Sequence, residues 1–496
     1  MLLLVEEKLQ PEDSKGIRSY TFEVPVGTGA LGFQFGWTPK FSKDESGNRV
    51  AVRKAVEEWL ALQGGSLGEE ELPEDIRRYV PRLPNLFNVV LRDPEGGWRG
   101  RSDKGRGSVR PLTITENDPP EGFVEGPLLA GVWRADVEVH AVVPPGADFR
   151  LSIWKENPAE VVREKKSVSR VEIEAPDRPF PGWFRGELHS HSVHSDGGYP
   201  VRKLVRRAEE LGLDFLALTD HNTVSGLKEL DEADFPTIRG VELTTFHGHH
   251  IVLGVSGMVP WHQEGERLDI NDVASAFREQ GALFTLSHPY SIGDPVCTGC
   301  RWSSEPFDRK HVDLVEIWHR KWSGERSDNQ SAYDLWNQLW QEGFQPTAIG
   351  VRDWHTREHE APLPGDLPTT AVHSGSAEQA DVLKALKKGA CYVTTGPWLE
   401  FALRDASGKR IFLGENGEGA QGGLWGELDI VLPEKDGGWG DLVVQFYRSG
   451  VLVEEIPISG NGKIESRQSL GDAGWYRAEI RKGGDPVVIT NHILMN

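Results

Sequence analysis

The chain has 496 residues, with 55 Lys plus Arg against 76 Asp plus Glu and a net charge of −21. That length exceeds one ordinary core, so two or three domains are expected. The acidic balance repels phosphate backbones and argues against a stable nucleic-acid complex, and only three cysteines argue against a disulfide scaffold. No run approaches a membrane span. The apolar Met1-Leu2-Leu3-Leu4-Val5 is cut off by Glu6 and Glu7 without a basic flank, so a cytoplasmic protein without a membrane partner is expected. The many Trp residues are expected to fill cores rather than to form binding platforms.

Residues 1–178 read as an N-terminal β-sandwich or jelly-roll-like domain. Ser19–Val26, Asn85–Arg92, Trp133–Val142 and Phe149–Trp154 alternate or are β-branched, with Gly and Pro clusters between them. One helical insert is expected near Val52–Gln63, and the Gly- and Arg-rich Asp93–Gly107 reads as a mobile hairpin tip. The Pro-rich stretch 175–182 is the expected domain joint.

Strands alternate with helices in residues 179–397, which implies a parallel sheet and here a barrel. Val201, Leu204, Val205, Ala208 and Leu211 keep one apolar stripe, so Pro200–Leu211 is a helix. Helices also fit Asn271–Gln280, Ser331–Glu342 and Ala377–Lys388. Residues 398–496 return to short strands between Gly-rich turns, at Trp398–Leu403, Leu428–Leu432, Leu442–Tyr447 and Trp475–Ile480. They read as a C-terminal β-sandwich domain.

The chemistry sits in the middle segment. Gly186-Glu187-Leu188-His189-Ser190-His191 ends a short strand, and residues two apart on a strand share a face, so His189 and His191 aim at one point. Four more apolar runs end in metal-ligand types: Phe215–Asn222 in Asp220-His221, Thr237–Glu242 in a carboxylate, Ala282–Pro289 in His288-Pro289, and Thr347–His355 in Asp353-x-His355. A parallel barrel gathers its C-terminal strand ends at one face. Mixed His and carboxylate sets suit Zn, Mn or Fe. A carboxylate can bridge two ions roughly 3.5–4 Å apart and so bring the pKa of bound water to about 7.

The order His189-x-His191, Asp196-Gly197, Thr219-Asp220-His221-Asn222, Gly240-Val241-Glu242, His288-Pro289 and Asp353-x-His355 resembles the PHP (polymerase and histidinol phosphatase) metallohydrolases. Gly248–Gly254 and Ala385–Pro397 are similar to segments of its CehA/McbA branch. The resemblance covers about residues 180–397. It implies a distorted (β/α)7 TIM-like barrel, flanked here by the two β-sandwich domains, and a hydrolase using two or three divalent ions. His189, His191, Glu242 and Asp353 match the first ion's ligands. Glu242, His249 and His288 match the second's, with Glu242 bridging, and Asp196, His221 and His355 match a third's. Asp196 and His221 are also candidates for direct roles in the reaction. Among His247, His249 and His250, only the resemblance selects His249. His194 reads as a satisfied loop histidine, Asp220 as a support for His221, and Glu316 as a support for a ligand.

Two positions depart from the family pattern: His319 stands where Asn is common, and Arg352 where Ser is common. With Arg320 and Lys321, Arg352 is expected to form an anion clamp at the metal rim, the alternative being an ordinary ion pair. The leading expectation is a phosphoesterase acting on a small anionic substrate: a phosphate ester, nucleotide or short oligonucleotide. The alternatives are a carbamate, ester or amide hydrolase and a non-catalytic metal-stabilised binding protein. The flanks carry no comparable ligand set. They are expected to wall the site, tune substrate choice or form a homo-oligomer surface, and residues 179–397 are expected to hold the metals alone. The lone Cys297-x-x-Cys300 reads as a loop disulfide or as two idle thiols.

Overall fold

The computed structural model describes all residues except 69–71, 103–109, 157–177, 304–306, 324–327, 361–362, 421, 436–437, 472 and 496. The far end of the expected hairpin tip and residues 175–177 of the expected joint therefore lie outside the described residues.

Two four-stranded antiparallel sheets come first. One has the order Leu3–Leu9, Ala147–Glu156, Ala30–Thr38, Leu112–Thr115; the other Gly16–Val24, Gly131–Ala141, Leu86–Arg92, Trp98–Ser102. Phe33, Trp37, Phe87, Trp133, Val137 and Leu151 share the core between them. The first sheet alternates as a half-buried sheet should: Phe149, Leu151 and Ile153 are buried, with more exposed neighbours between. The second does not. Six of the seven residues of Leu86–Arg92 are buried, because its outer face meets the middle segment. The helix runs over Glu45–Leu62, starting earlier than expected because Asp44 caps it by accepting from the Gly47 N–H at 3.0 Å. Its apolar face, Val52, Val56 and Trp59, packs on Ile292 and Val296 of the middle segment.

In the middle segment seven strands lie side by side in the order Thr347–Val351, Leu314–His319, Leu283–Leu286, His249–Leu253, Thr237–Thr244, Phe215–Leu218, Trp183–Glu187. The chain just beyond the first and last of these then pairs. Trp354 N–H donates to the His189 carbonyl and His191 N–H to the Trp354 carbonyl, both at 2.9 Å. The sheet thus curls until its ends meet, which is consistent with the distorted barrel expected. Successive residues of Phe215–Leu218 alternate between two apolar clusters, one of which includes Val201, Leu204, Val205 and Ala208 of the covering helix. One strand departs from the strand–helix–strand pattern. His249–Leu253 runs antiparallel to both neighbours. Only residues 245–248 separate it from Thr244, too few for the crossover a parallel strand requires. Helices occupy Val201–Glu210, Ile270–Glu279, Asn329–Gln341 and Gln379–Lys387.

The sheet does not stop near residue 397. Thr369–His373 pairs antiparallel with Trp183–Glu187 and with Cys391–Thr394. Cys391–Thr394 pairs with Asp485–Thr490. The same sheet continues through Gly474–Lys482, Leu442–Arg448 and Val451–Ile458. A four-stranded sheet containing Trp398–Arg404 and Trp425–Val431 packs on it over Phe401, Leu428, Phe446, Tyr476 and Ile480. Among the described residues no helix is long and apolar enough to cross a membrane.

Candidate metal centre

The strand ends deliver their histidines and carboxylates to one place, and Glu242 stands at its middle, 1 % exposed. Its Oε2 lies 3.3 Å from His189 Nε2, 3.3 Å from His191 Nε2 and 2.9 Å from His221 Nδ1. Its Oε1 lies 2.9 Å from His249 Nδ1 and 3.3 Å from His288 Nε2. Asp353 Oδ1 is 3.2 Å from each of His189 Nε2, His191 Nε2 and His355 Nδ1. Asp196 Oδ1 is 3.2 Å from His355 Nε2 and 3.6 Å from His221 Nε2. All nine expected ligands are thus brought together. They fall into four overlapping groups with metal-ligand spacing: His191, Asp196, His221 and His355; His189, Glu242 and His288; His189, His191 and Asp353; His221, Glu242 and His249.

The residues fit divalent ions. Both ring nitrogens of His191 are buried without a hydrogen bond, although carboxylate oxygens stand nearby. A buried imidazole left so is costly unless an ion takes its lone pair. His191 is accordingly pushed down to about 3, by burial and by His355 and His221 beside it. Burial resists ionisation of Glu242 and Asp353, but the surrounding histidines hold both carboxyls well below the usual range. Glu242, Asp353 and His191 are therefore in the forms that ligate, anionic oxygens and a neutral imidazole, whereas carboxylates, working against burial, raise His189, His288 and His355, which must give up a proton to an incoming ion.

Supporting groups aim these side chains. Glu316 accepts from His189 Nδ1–H at 2.8 Å and from the His288 backbone N–H at 2.8 Å, which turns His189 Nε2 toward Glu242. Thr298, between Cys297 and Cys300, offers its carbonyl to His249 Nε2–H at 3.3 Å. The two cysteines are joined, the disulfide being one of the two states expected. Asn222, His288, Arg320 and Asp353 all adopt positive φ. Such conformations gather where a site needs the backbone turned against its preference.

The three neighbouring histidines separate clearly. His249 reaches Glu242, while His250 donates to the Thr285 carbonyl at 3.1 Å and stacks on Phe284. His247 lies by Ser303 instead. His194 meets Ser225 and Glu229, as a satisfied loop histidine should. Asp220 differs from expectation. Its carboxylate accepts from Ser192 N–H and Ser195 Oγ–H on one oxygen and Ser192 Oγ–H on the other, so it shapes the loop leading to Asp196 rather than His221.

Arg352 is the main correction. Its side chain is fully buried, with Nε 3.7 Å from Glu187 Oε2 and 3.3 Å from the Pro368 carbonyl. It is no rim clamp. The chain turns only at Asp353, so Arg352 keeps the alternation of its strand and points away from the ligands. Arg320 does reach the rim, 41 % exposed in its side chain, and donates to Asp353 Oδ2 at 2.6 Å. Lys321 turns toward Asp366.

Three further residues contribute; of these Glu187 and His359 carried little sequence signal, while His319 stood out only as a departure from the family pattern. Glu187 Oε1 accepts from the backbone N–H of Leu188, His189 and Arg352, and burial pushes its carboxyl up to about 7 against the pull of Arg352. His319 Nε2 stands 3.2 Å from Asp353 Oδ2. His359 Nδ1 accepts from the His355 and Thr356 backbone N–H groups.

Parts of the chain are similar to known proteins. An uncharacterized protein of Methanocaldococcus jannaschii is 27 % identical over 152 residues, 28 % of this chain and 84 % of its own. A 5'-3' exoribonuclease of Haemophilus influenzae is 41 % identical over 73 residues, so the chain spans only 27 % of that relative and matches it over 13 % of its own length. Among solved structures, a two-domain protein of Bacteroides vulgatus containing a predicted PHP-like metal-dependent phosphoesterase aligns over 66 % of this chain and 100 % of its own, at 17 % identity and a TM-score of 0.37. Residues 187–277, which supply His189, His191, Asp196, His221, Glu242 and His249, match the family model of the PHP domain.

Proposed function

We propose that the chain is a metal-dependent phosphoesterase acting on a small anionic substrate: a phosphate ester, nucleotide or short oligonucleotide. The observation that carries the reading is Glu242, a buried carboxylate placed to bridge, with five histidines within 3.3 Å of its oxygens. His189, His191, Glu242 and Asp353 would hold one ion, Glu242, His249 and His288 a second, and Asp196, His221 and His355 a third, with Zn, Mn or Fe as candidates. Such ions, when bound, supply a nucleophile at neutral pH and positive charge for the developing oxyanion.

The chain's own residues do the rest. Glu316 and Glu187 fix the backbone and tautomer of the first ligands. Arg320 holds Asp353 in place and keeps a partly exposed guanidinium at the rim, where a phosphate oxygen would meet a planar donor. Asp196 is the most exposed carboxylate of the set, at 43 % in its side chain, and against partial burial His355 and His221 hold it anionic, as a ligand needs. The phosphodiester chemistry in the name of the Haemophilus influenzae relative supports the same class.

The test is a hydrolysis panel on chelator-stripped protein reloaded with Mn²⁺ or Zn²⁺, comparing an aryl phosphate, an aryl phosphodiester and an aryl carbamate. Metal-dependent turnover of a phosphate substrate is expected. Turnover of the carbamate alone would move the assignment to the carbamate and ester hydrolases. Full metal loading without turnover of any of the three would favour a binding role.

A further inference from the structure

The outer face of the second N-terminal sheet is unusual. It is buried, yet it carries charge: Arg92, Arg101, Asp136, Glu138 and His140 are all at most 5 % exposed. Glu138 is the hub. It accepts from Arg101 Nε at 2.9 Å and from His262 Nε2 at 3.0 Å, and His140 Nε2 lies 3.3 Å away. Burial opposes its charge, but Arg101 and the two histidines hold its carboxyl well below the usual range. His262 belongs to the middle segment, so the network is shared between the two parts of the chain.

Arg101 goes further. With Nε fixed by Glu138, its Nη1 donates to the backbone carbonyl of His221 at 3.4 Å. A neighbouring contact braces the same turn. Gly122 receives the Arg101 N–H on its carbonyl at 2.9 Å, donates its own N–H to Ser225 Oγ at 3.0 Å, and accepts from Thr223 Oγ1 at 3.3 Å. Gly122 has φ +92°, and a Cβ there would stand 2.2 Å from the Arg101 carbonyl oxygen, so only glycine fits the junction. On the other side, the His221 turn is tied to the barrel by Asn222, whose amide makes paired hydrogen bonds with the Thr244 backbone at 2.7 and 2.8 Å. The turn is thus clamped between two elements, one of them from the N-terminal sheets.

We propose that the N-terminal sheets complete the metal centre, with Arg101 as the positioning residue that holds His221 in register with Asp196, His191 and His355. The inference rests on reading His221 as a ligand. It alters the expectation that residues 179–397 suffice: among the described residues the flank adds nothing to the ligand groups but sets where one ligand stands. Groups that orient a ligand typically cost 10–100-fold in metal affinity when removed. The ion held by Asp196, His221 and His355 should therefore be lost first, because His189 and His288 have their own support in Glu316.

The experiment uses the full chain, stripped and then titrated with Co²⁺ and Zn²⁺, reading metals per chain, stepwise affinity and the Co²⁺ visible spectrum. Arg101→Ala should weaken the last-bound ion by about 10–100-fold and change the Co²⁺ spectrum, with the tighter ions retained. Arg101→Lys, which keeps one donor, should recover part of the affinity. Arg134→Ala, which removes the exposed contact to Glu264 across the same interface, should change neither. If Arg101→Ala does not fold, Glu138→Gln, which loosens Arg101 at nearly constant volume, should give the same selective loss. Wild-type affinities and spectrum in the folded variant would overturn the proposal. So would a uniform loss of all ions that Arg101→Lys does not relieve. Since the readout is metal binding, failure of the phosphoesterase reading would appear separately, as fully loaded protein that does not turn over phosphate esters.

Discussion

Glu316 tests whether the metal centre is aimed by what stands behind it. Its two oxygens serve two different strands: Oε1 takes His189 Nδ1–H and Oε2 takes the His288 backbone N–H, each at 2.8 Å. Glu316→Gln preserves shape but offers one acceptor. If the amide oxygen faces the His288 N–H, the amide NH₂ faces His189 Nδ1 and forces that nitrogen to accept. The ring proton then moves to Nε2, the atom 3.3 Å from Glu242, and His189 can no longer ligate. If the amide oxygen faces His189 instead, the NH₂ opposes the His288 N–H, and a buried donor loses its partner. Either way one hydrogen bond to a charged acceptor is lost, about 1.5–3 kcal/mol. That corresponds to a 10–100-fold loss of metal affinity. Competition against a chromophoric chelator measures it directly. Affinity within twofold of wild type in a folded Glu316→Gln protein would refute the reasoning, because it would mean that His189 is aimed by something else.

The remaining predictions are of the same kind. Glu242→Gln should abolish binding of at least one ion and reduce turnover by more than a hundredfold, whereas His194→Ala should leave metal content unchanged, as elemental analysis of both variants will show. Arg352→Ala breaks a buried pair and should lower stability by about 3–5 kcal/mol in denaturant titrations, while leaving the ratio of phosphate to carbamate turnover unaltered; a selective loss on phosphate would restore the clamp. In the metal-free protein burial works against protonation of His355, but Asp196 and Asp353 prevail and raise its pKa to about 9. An imidazolium cannot ligate, so affinity for the ion at Asp196, His221 and His355 should climb with pH and level off near 9. A flat pH profile would exclude His355 from that ion.

Most of the ligands were legible because two simple rules act on them directly, whereas Asp196, in a loop, and His249, on the antiparallel strand, were reached only through the family resemblance. Strand alternation aims His189 and His191 together, and parallel strand ends converge. Neither rule requires knowledge of distant contacts. The same alternation, applied strictly, turns Arg352 away from the rim, since the backbone reverses only at Asp353, one residue later, where φ is +51°. Asp220 misled for a related reason. Adjacency to His221 suggested support for it, but neighbours on an extended chain face opposite sides, and Asp220 meets Ser192 and Ser195 instead.

What was not legible is the bracing between parts of the chain. The Arg101–His221 contact joins residues 120 apart, and no local period encodes it. One signal was nevertheless present. Asn85–Arg92 does not alternate cleanly: Phe87, Val89 and Leu91 face the core, and Asn88, Val90 and Arg92 are buried as well. A strand buried on both faces implies a second layer over it, and polar residues on that hidden face imply partners there. With the Gly100-Arg101 segment read as part of a mobile tip, that layer was missed. Its cost structure explains why it matters. A buried Arg–Glu pair is a weak source of stability compared with apolar packing but is expensive to break, so the interface containing Arg101 and Glu138 favours one docking geometry more than it adds adhesion. A metal centre whose His221 turn is pinned from that interface needs this property, because a small displacement of one ligand separates binding from its absence.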